Sequence, residues 1–175
     1  TTNVLKGKIL TAAAAWSTGG NVNTARYVLG GGGSQTAAIA FGGARTPGPN
    51  SQAVTELYDG TSWTEVNDLN TARERVSSAA TTNTASLAMG GVVYPGATNK
   101  NLTENWNGTN WTEVNDLNTA RDRLTTIGSK TSALCVGGPG GSKQLVELWN
   151  GTNWTETTDL ATGRAFASGA GTTSN

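Results

Sequence analysis

The stretch Val54-Thr55-Glu56-Leu57-Tyr58-Asp59-Gly60-Thr61-Ser62-Trp63-Thr64-Glu65-Val66-Asn67-Asp68-Leu69-Asn70-Thr71-Ala72-Arg73 decides the fold, because the chain writes it more than once. It returns from Leu102 to Arg121 with Trp106, Gly108, Trp111 and Asp116 in register. It returns again from Val146 to Arg164 with Trp149, Gly151, Trp154 and Asp159 in register. A weaker copy opens the chain, where Trp16 precedes Arg26 by the interval that separates Trp63 from Arg73. Trp16, Trp63, Trp111 and Trp154 stand 47, 48 and 43 residues apart.

A period of roughly 40–50 residues is that of propeller blades, whereas helical repeats would carry a 3.6-residue apolar rhythm, which is absent here. Four short strands fit one period. Val76 to Thr81 is a strand of small residues; a polar turn at Thr82-Asn83-Thr84 leads to Ser86–Met89, which ends in Gly90-Gly91. A variable loop follows, then Leu102–Trp106, then Asn107-Gly108, which reads as a two-residue type I′ turn with positive φ at both positions. Trp111–Val114 closes the unit, and the same scheme fits 27–66 and 124–157. Tyr58, Trp106 and Trp149 precede their tryptophans by five residues across the turn, so each pair sits on one hairpin. Such units bury little alone and must stack, with aromatic residues filling the space between sheets. Ser77, Ser78, Ala79 and Ala80 suit the crowded position nearest a propeller axis.

Composition agrees and excludes several functions. Charged residues make up 14% of the 175 residues, twelve basic side chains balance twelve acidic ones, and there are 24 glycines. That balance leaves no basic footprint for nucleic acid. Histidine is absent, which removes the commonest general base and metal ligand, and no cofactor or metal motif stands out. The single cysteine, Cys135, forms no internal disulfide framework; between Leu134 and Val136 it reads as a buried, inert thiol. The longest apolar stretch, Thr11 to Trp16, is too short to span a bilayer.

A Gly-Gly pair ending the second strand, then an aromatic, a turn, a Trp and an Arg resembles the kelch repeat; the pairs here are Gly42-Gly43, Gly90-Gly91 and Gly137-Gly138. The resemblance runs from about Trp16 to Gly171. The strings around Trp63 and Trp111 look like the near-identical kelch-like arrays of marine bacteriophage and cyanophage structural proteins. It implies an all-β, kelch-like propeller of four-stranded antiparallel blades. It also implies a non-enzymatic virion protein on a tail, fibre or capsid surface, with a host surface glycan or protein, or other virion proteins, as partners. The expected domain is 1–175, with blades at about 26–69, 73–117 and 121–160 and a split blade from 1–16 and 164–175. Its last strand lies around Ala13–Trp16 and its first at Ala165–Gly171. The array is expected to continue beyond Asn175; the alternatives are closure by segments such as Val4–Leu10 or a second subunit completing the ring.

The candidate chemistry has plain counterparts. Paired carboxylates serve glycoside hydrolysis, but nine of the twelve acids recur once per blade, as in Glu56, Glu104 and Glu147, and recurrence indicates scaffold. No residue is therefore assigned as catalytic. Arg26, Arg73, Arg121 and Arg164 lie where one blade passes to the next and could ring one mouth to hold an anionic sugar or phosphate. The plainer reading bridges them to the preceding Asp or to loop carbonyls. The loops 44–52, 92–101 and 139–144 differ between blades, emerge on one face and are where binding specificity resides, with Arg45, Tyr94, Lys100 and Lys143 as the side chains to watch. A glycan-active or lectin-like propeller enzyme and a cellular kelch adaptor are the rival functions.

Overall fold

The alternation of small, apolar and threonine residues between glycine-bounded turns produces short strands of two to six residues. The computed structural model describes residues 19–48, 50–169 and 171. Fourteen strands form three four-stranded sheets and one short hairpin. The first sheet runs β1 (Gly30–Ser34), β2 (Ala37–Phe41), β3 (Thr55–Tyr58), β4 (Trp63–Val66). The second joins β5 (Ser77–Thr82), β6 (Ala85–Met89), β9 (Thr103–Trp106) and β10 (Trp111–Val114), and the β7–β8 hairpin (Val92–Val93, Thr98–Asn99) rises from its variable loop. The third is β11 (Thr125–Ser129), β12 (Ser132–Val136), β13 (Val146–Trp149) and β14 (Trp154–Glu156). All pairings are antiparallel.

The core lies between sheets. In β6, Leu87 and Met89 point to one face and Ala88 to the other, as a strand's two-residue period requires. Leu87 and Met89 pack with Ala133, Cys135, Trp149 and Trp154 of the third sheet. Ala88, with Trp106 and Trp111, packs against Ile39 and Phe41 of the first. The interfaces are also bolted by polar contacts. Trp111 Nε1 donates to Thr55 Oγ1 of the preceding sheet at 3.0 Å, and Trp154 Nε1 repeats this onto Thr103 Oγ1 at 3.0 Å. Asn67 Nδ2 reaches Asn110 Oδ1 at 2.7 Å, and Asn115 Nδ2 reaches Asn153 Oδ1 at 2.7 Å. Phe41 meets Trp111 edge-on with centroids 4.8 Å apart. The expected hairpin pairs form, with centroids of 5.1 Å for Tyr58–Trp63, 5.3 Å for Trp106–Trp111 and 5.2 Å for Trp149–Trp154.

The turn at Asn107-Gly108 corrects one expectation. The loop spans four residues, Asn107 to Asn110, and positive φ falls on Gly108 alone (98°). Asn107 Oδ1 instead accepts the amides of Thr109 and Asn110, both at 2.9 Å, closing the turn with a side chain. Asp59 and Asn150 do the same in the other sheets.

The first strands of the three sheets, β1, β5 and β11, and residues 167–169 line a common open channel of about 490 Å³, whose wall includes Gly30, Ser77, Ser78, Thr125, Thr126 and Ser168. Close approach explains the glycine run: a Cβ at Gly32 would lie 2.9 Å from Ala80 Cβ. The first strand expected at Ala165–Gly171 is not formed among the described residues; 165–169 follows β11 without a ladder, Thr125 Oγ1 donating to Ala167 O. The expected strand at Ala13–Trp16, the marker Trp16 and the segment Val4–Leu10 lie outside the described residues. Among those residues no fourth sheet closes a ring.

Candidate functional site

Three of the four repeated arginines, Arg26, Arg73 and Arg121, are clasps. Arg73 leaves the first sheet and turns into the second, where Nη2 pairs with Glu104 Oε1 at 2.7 Å and Nη1 donates to Gly90 O at 2.7 Å and Leu102 O at 3.0 Å. Asn70 completes the carboxylate's shell from its backbone N (2.7 Å) and Nδ2 (2.9 Å), both to Oε2. Arg121 repeats the arrangement on Glu147 at 3.0 Å with Gly137 O and Leu145 O, and Asn118 takes the place of Asn70. Arg26 repeats it on Glu56 at 2.9 Å, with Val54 O and the Asn23 amide. All three guanidinia are withdrawn from solvent. Burial pulls Arg26 and Arg73 below the usual arginine pKa, and the facing glutamate pushes back.

The Gly-Gly pairs serve the same junction. Gly42, Gly90 and Gly137 sit at φ of 65°, 61° and 72°, and a Cβ there would lie 2.6, 2.5 and 2.3 Å from the carbonyl oxygens of Arg73, Arg121 and Arg164. The second glycine of each pair donates to that same carbonyl, at 2.9 Å from Gly43 and 3.0 Å from Gly91 and from Gly138. Only a residue without a side chain can hold a left-handed φ and let the next backbone cross so closely.

These partners correct the expected ring of ligand-binding arginines. Arg26, Arg73 and Arg121 are spent inside the fold, on a glutamate of the sheet that follows and on strand-end carbonyls. The preceding aspartates do other work, Asp68 and Asp116 each accepting a strand amide (Thr55 N and Thr103 N, 3.0 Å). Arg164 is exposed, and its clasp glutamate has no counterpart among the described residues. The repeated carboxylates are also accounted for. Glu104 lies directly across from exposed Glu113, and Glu147 from exposed Glu156, but the buried member of each pair is committed to its arginine.

A different set converges on one end of the channel. Two residues after each repeated arginine the backbone enters the left-handed region: Val28 at φ 50°, Arg75 at 55°, Arg123 at 52° and Phe166 at 56°. With Leu29, Val76 and Leu124 they line a recess of about 210 Å³. Positive φ is costly for such side chains and persists where the surroundings over-determine it. Here the crossing strands do so, Arg75 N donating to Val28 O at 2.8 Å and Phe166 N to Arg123 O at 3.2 Å. Among the described residues the exposed large apolar side chains are Tyr27, Val28 and Phe166, and the last is 74% exposed. Tyr94 reaches in from the β7–β8 hairpin, and with Asp122 and Pro139 it lines a second recess of about 190 Å³ that shares Arg75 and Arg123 with the first.

Of the loop residues singled out from sequence, Tyr94 alone lines these recesses; Arg45 and Lys143 are exposed elsewhere on their loops, and Lys100 is half-buried. Sequence reasoning missed Arg75, Arg123, Phe166 and Val28. A signal was there: the two residues after each repeated arginine are an acid and an arginine in the middle copies (Glu74-Arg75, Asp122-Arg123) but Tyr27-Val28 and Ala165-Phe166 in the outer ones. Among the described residues no cluster of acidic or cysteine side chains is arranged to hold a metal. No protein-family model matches the chain, and no curated protein matches it either.

Proposed function

We propose that this chain is a non-enzymatic binding scaffold of kelch-like blades, carried on a virion as a tail, fibre or capsid-surface appendage. In this reading it engages a host surface component or a neighbouring virion protein. The observation that carries the binding role is the convergence of Phe166, Val28, Arg75, Arg123 and Tyr94 at one end of the channel. A constant clasp fixes the frame, and the positions just after it differ between the middle and the outer copies, as specificity positions on a rigid scaffold do. The virion assignment is supported by the resemblance of the repeat wording to phage arrays.

Two measurements test it. Antibody raised to the chain should label intact virions in negative-stain micrographs, and labelled protein should bind host cells or stripped virions in a manner lost on Phe166→Asn. Antigen confined to the soluble fraction of infected cells would remove the virion assignment. Binding indifferent to every mouth substitution would remove the mouth.

A further inference from the structure

Arg75 and Arg123 are held differently from the clasp arginines. Arg75 Nη1 donates to Tyr94 OH at 3.2 Å. Both guanidinia also form ion pairs without a second well-aligned hydrogen bond: Glu74 Oε1 lies 3.3 Å and Asp122 Oδ2 3.7 Å from Arg75, and the same Asp122 Oδ2 lies 3.5 Å from Arg123 Nε. One carboxylate oxygen thus lies between both cations and brings them side by side. Arg123 Nε is buried with no hydrogen-bond acceptor. A guanidinium offers five donors in a planar fork, so most of the donors at this mouth are unspent. The cations also lie beside rings: the Arg123 guanidinium is 5.2 Å from the Phe166 centroid and the Arg75 guanidinium 5.7 Å from that of Tyr94.

Unspent forks want a planar acceptor such as a carboxylate. The exposed Phe166 ring and Val28 beside them want an apolar face. A bare phosphate uses the first and ignores the second. An extended acidic peptide needs a run of pockets along a free strand edge, whereas these are two adjoining recesses of only about 210 and 190 Å³. A sugar acid offers both features in one ring. Resting on the reading of this mouth as a binding site, we infer that it takes an acidic saccharide. One sugar carboxylate lies across Arg75 and Arg123, and the C–H face of its ring lies on Phe166.

The test is calorimetric titration of the whole chain with a galacturonic acid trimer against the matching galactose trimer, and with sialyllactose against lactose. At least one acidic probe should bind, with its neutral partner about tenfold or more weaker, as the loss of a charged hydrogen-bonding group implies. Arg123→Gln and Phe166→Asn should each weaken it by about tenfold or more. Asparagine tolerates the left-handed backbone at 166, near-ultraviolet circular dichroism checks the packing of both variants, and Arg45→Gln should bind as the parent does. Equal binding of acidic and neutral probes, no binding of either acid, or binding indifferent to both substitutions overturns the inference. Should an oligoglutamate peptide bind in a Phe166-dependent way while both sugar acids fail, the saccharide is wrong and the binding mouth stands. Should host-cell binding also ignore the mouth variants, both fall.

Discussion

Removing the Glu104 carboxylate isolates the contribution of one clasp. In Glu104→Ala the Arg73 guanidinium keeps Gly90 O and Leu102 O but loses its counter-charge at 2.7 Å while remaining fully buried. Stripping one partner from a buried ion pair costs about 3–5 kcal/mol, because the other charge is left desolvated and unpaired. At roughly 2–4 °C per kcal/mol for a chain of this length, the melting temperature should fall by about 6–20 °C. Glu104→Gln keeps an acceptor and should cost less, about 1–3 kcal/mol. Replacing both partners, Arg73→Met with Glu104→Leu, should recover part of the Glu104→Ala loss, since no lone charge then remains inside. Glu113→Ala is the internal control: it lies directly across the ladder but is exposed, and should change stability by less than about 0.5 kcal/mol. Thermal and urea unfolding followed by tryptophan emission reads all four variants. If Glu104→Ala costs no more than Glu113→Ala, the clasp is not what holds the junction and the reasoning fails.

Gly90→Ala should destabilise by about 3 kcal/mol or more, because φ is 61° and the new Cβ would sit 2.5 Å from Arg121 O. Gly141→Ala, where a Cβ meets nothing within 4 Å, should be nearly silent; equal urea midpoints for the two would sink the crossing argument. Val28→Asn should stabilise by about 1 kcal/mol, since a β-branched residue is held at φ 50° and is 40% exposed, leaving little packing to lose; a lower urea midpoint would contradict that. Burial pushes the Cys135 thiol from 9.0 up to about 12, so the native protein should resist a thiol reagent at pH 8 and react only as it unfolds. The raised value also sets a sign: this group's stabilisation is complete below about pH 9 and is lost as pH rises toward about 12. Rapid labelling of the folded chain would refute the burial.

The strands of the three four-stranded sheets and the aromatic hairpin pairs were legible because they follow from local pattern repeated at one period, and repetition cancels the ambiguity of any single copy; the β7–β8 hairpin, in a loop that differs between copies, was not. The four-residue turn at Asn107 was misread because a side-chain acceptor replaced the second positive φ, and a dipeptide signal does not distinguish the two. Which acid Arg73 meets was not legible. Asp68 is nearer in sequence, but Glu104, 31 residues on, faces it once β9 lies beside β6. The sequence by itself thus determined the all-β repeat, the place of its Gly-Gly pairs and the recurrence of its arginines. Only the tertiary structure decided that Arg26, Arg73 and Arg121 are buried while the nearby Arg75, Arg123 and Phe166 face the mouth. The physical reason is non-local: a carbonyl crossing above a glycine pair sets the backbone that enters the next sheet, and the left-handed turn that follows decides which side chains reach solvent.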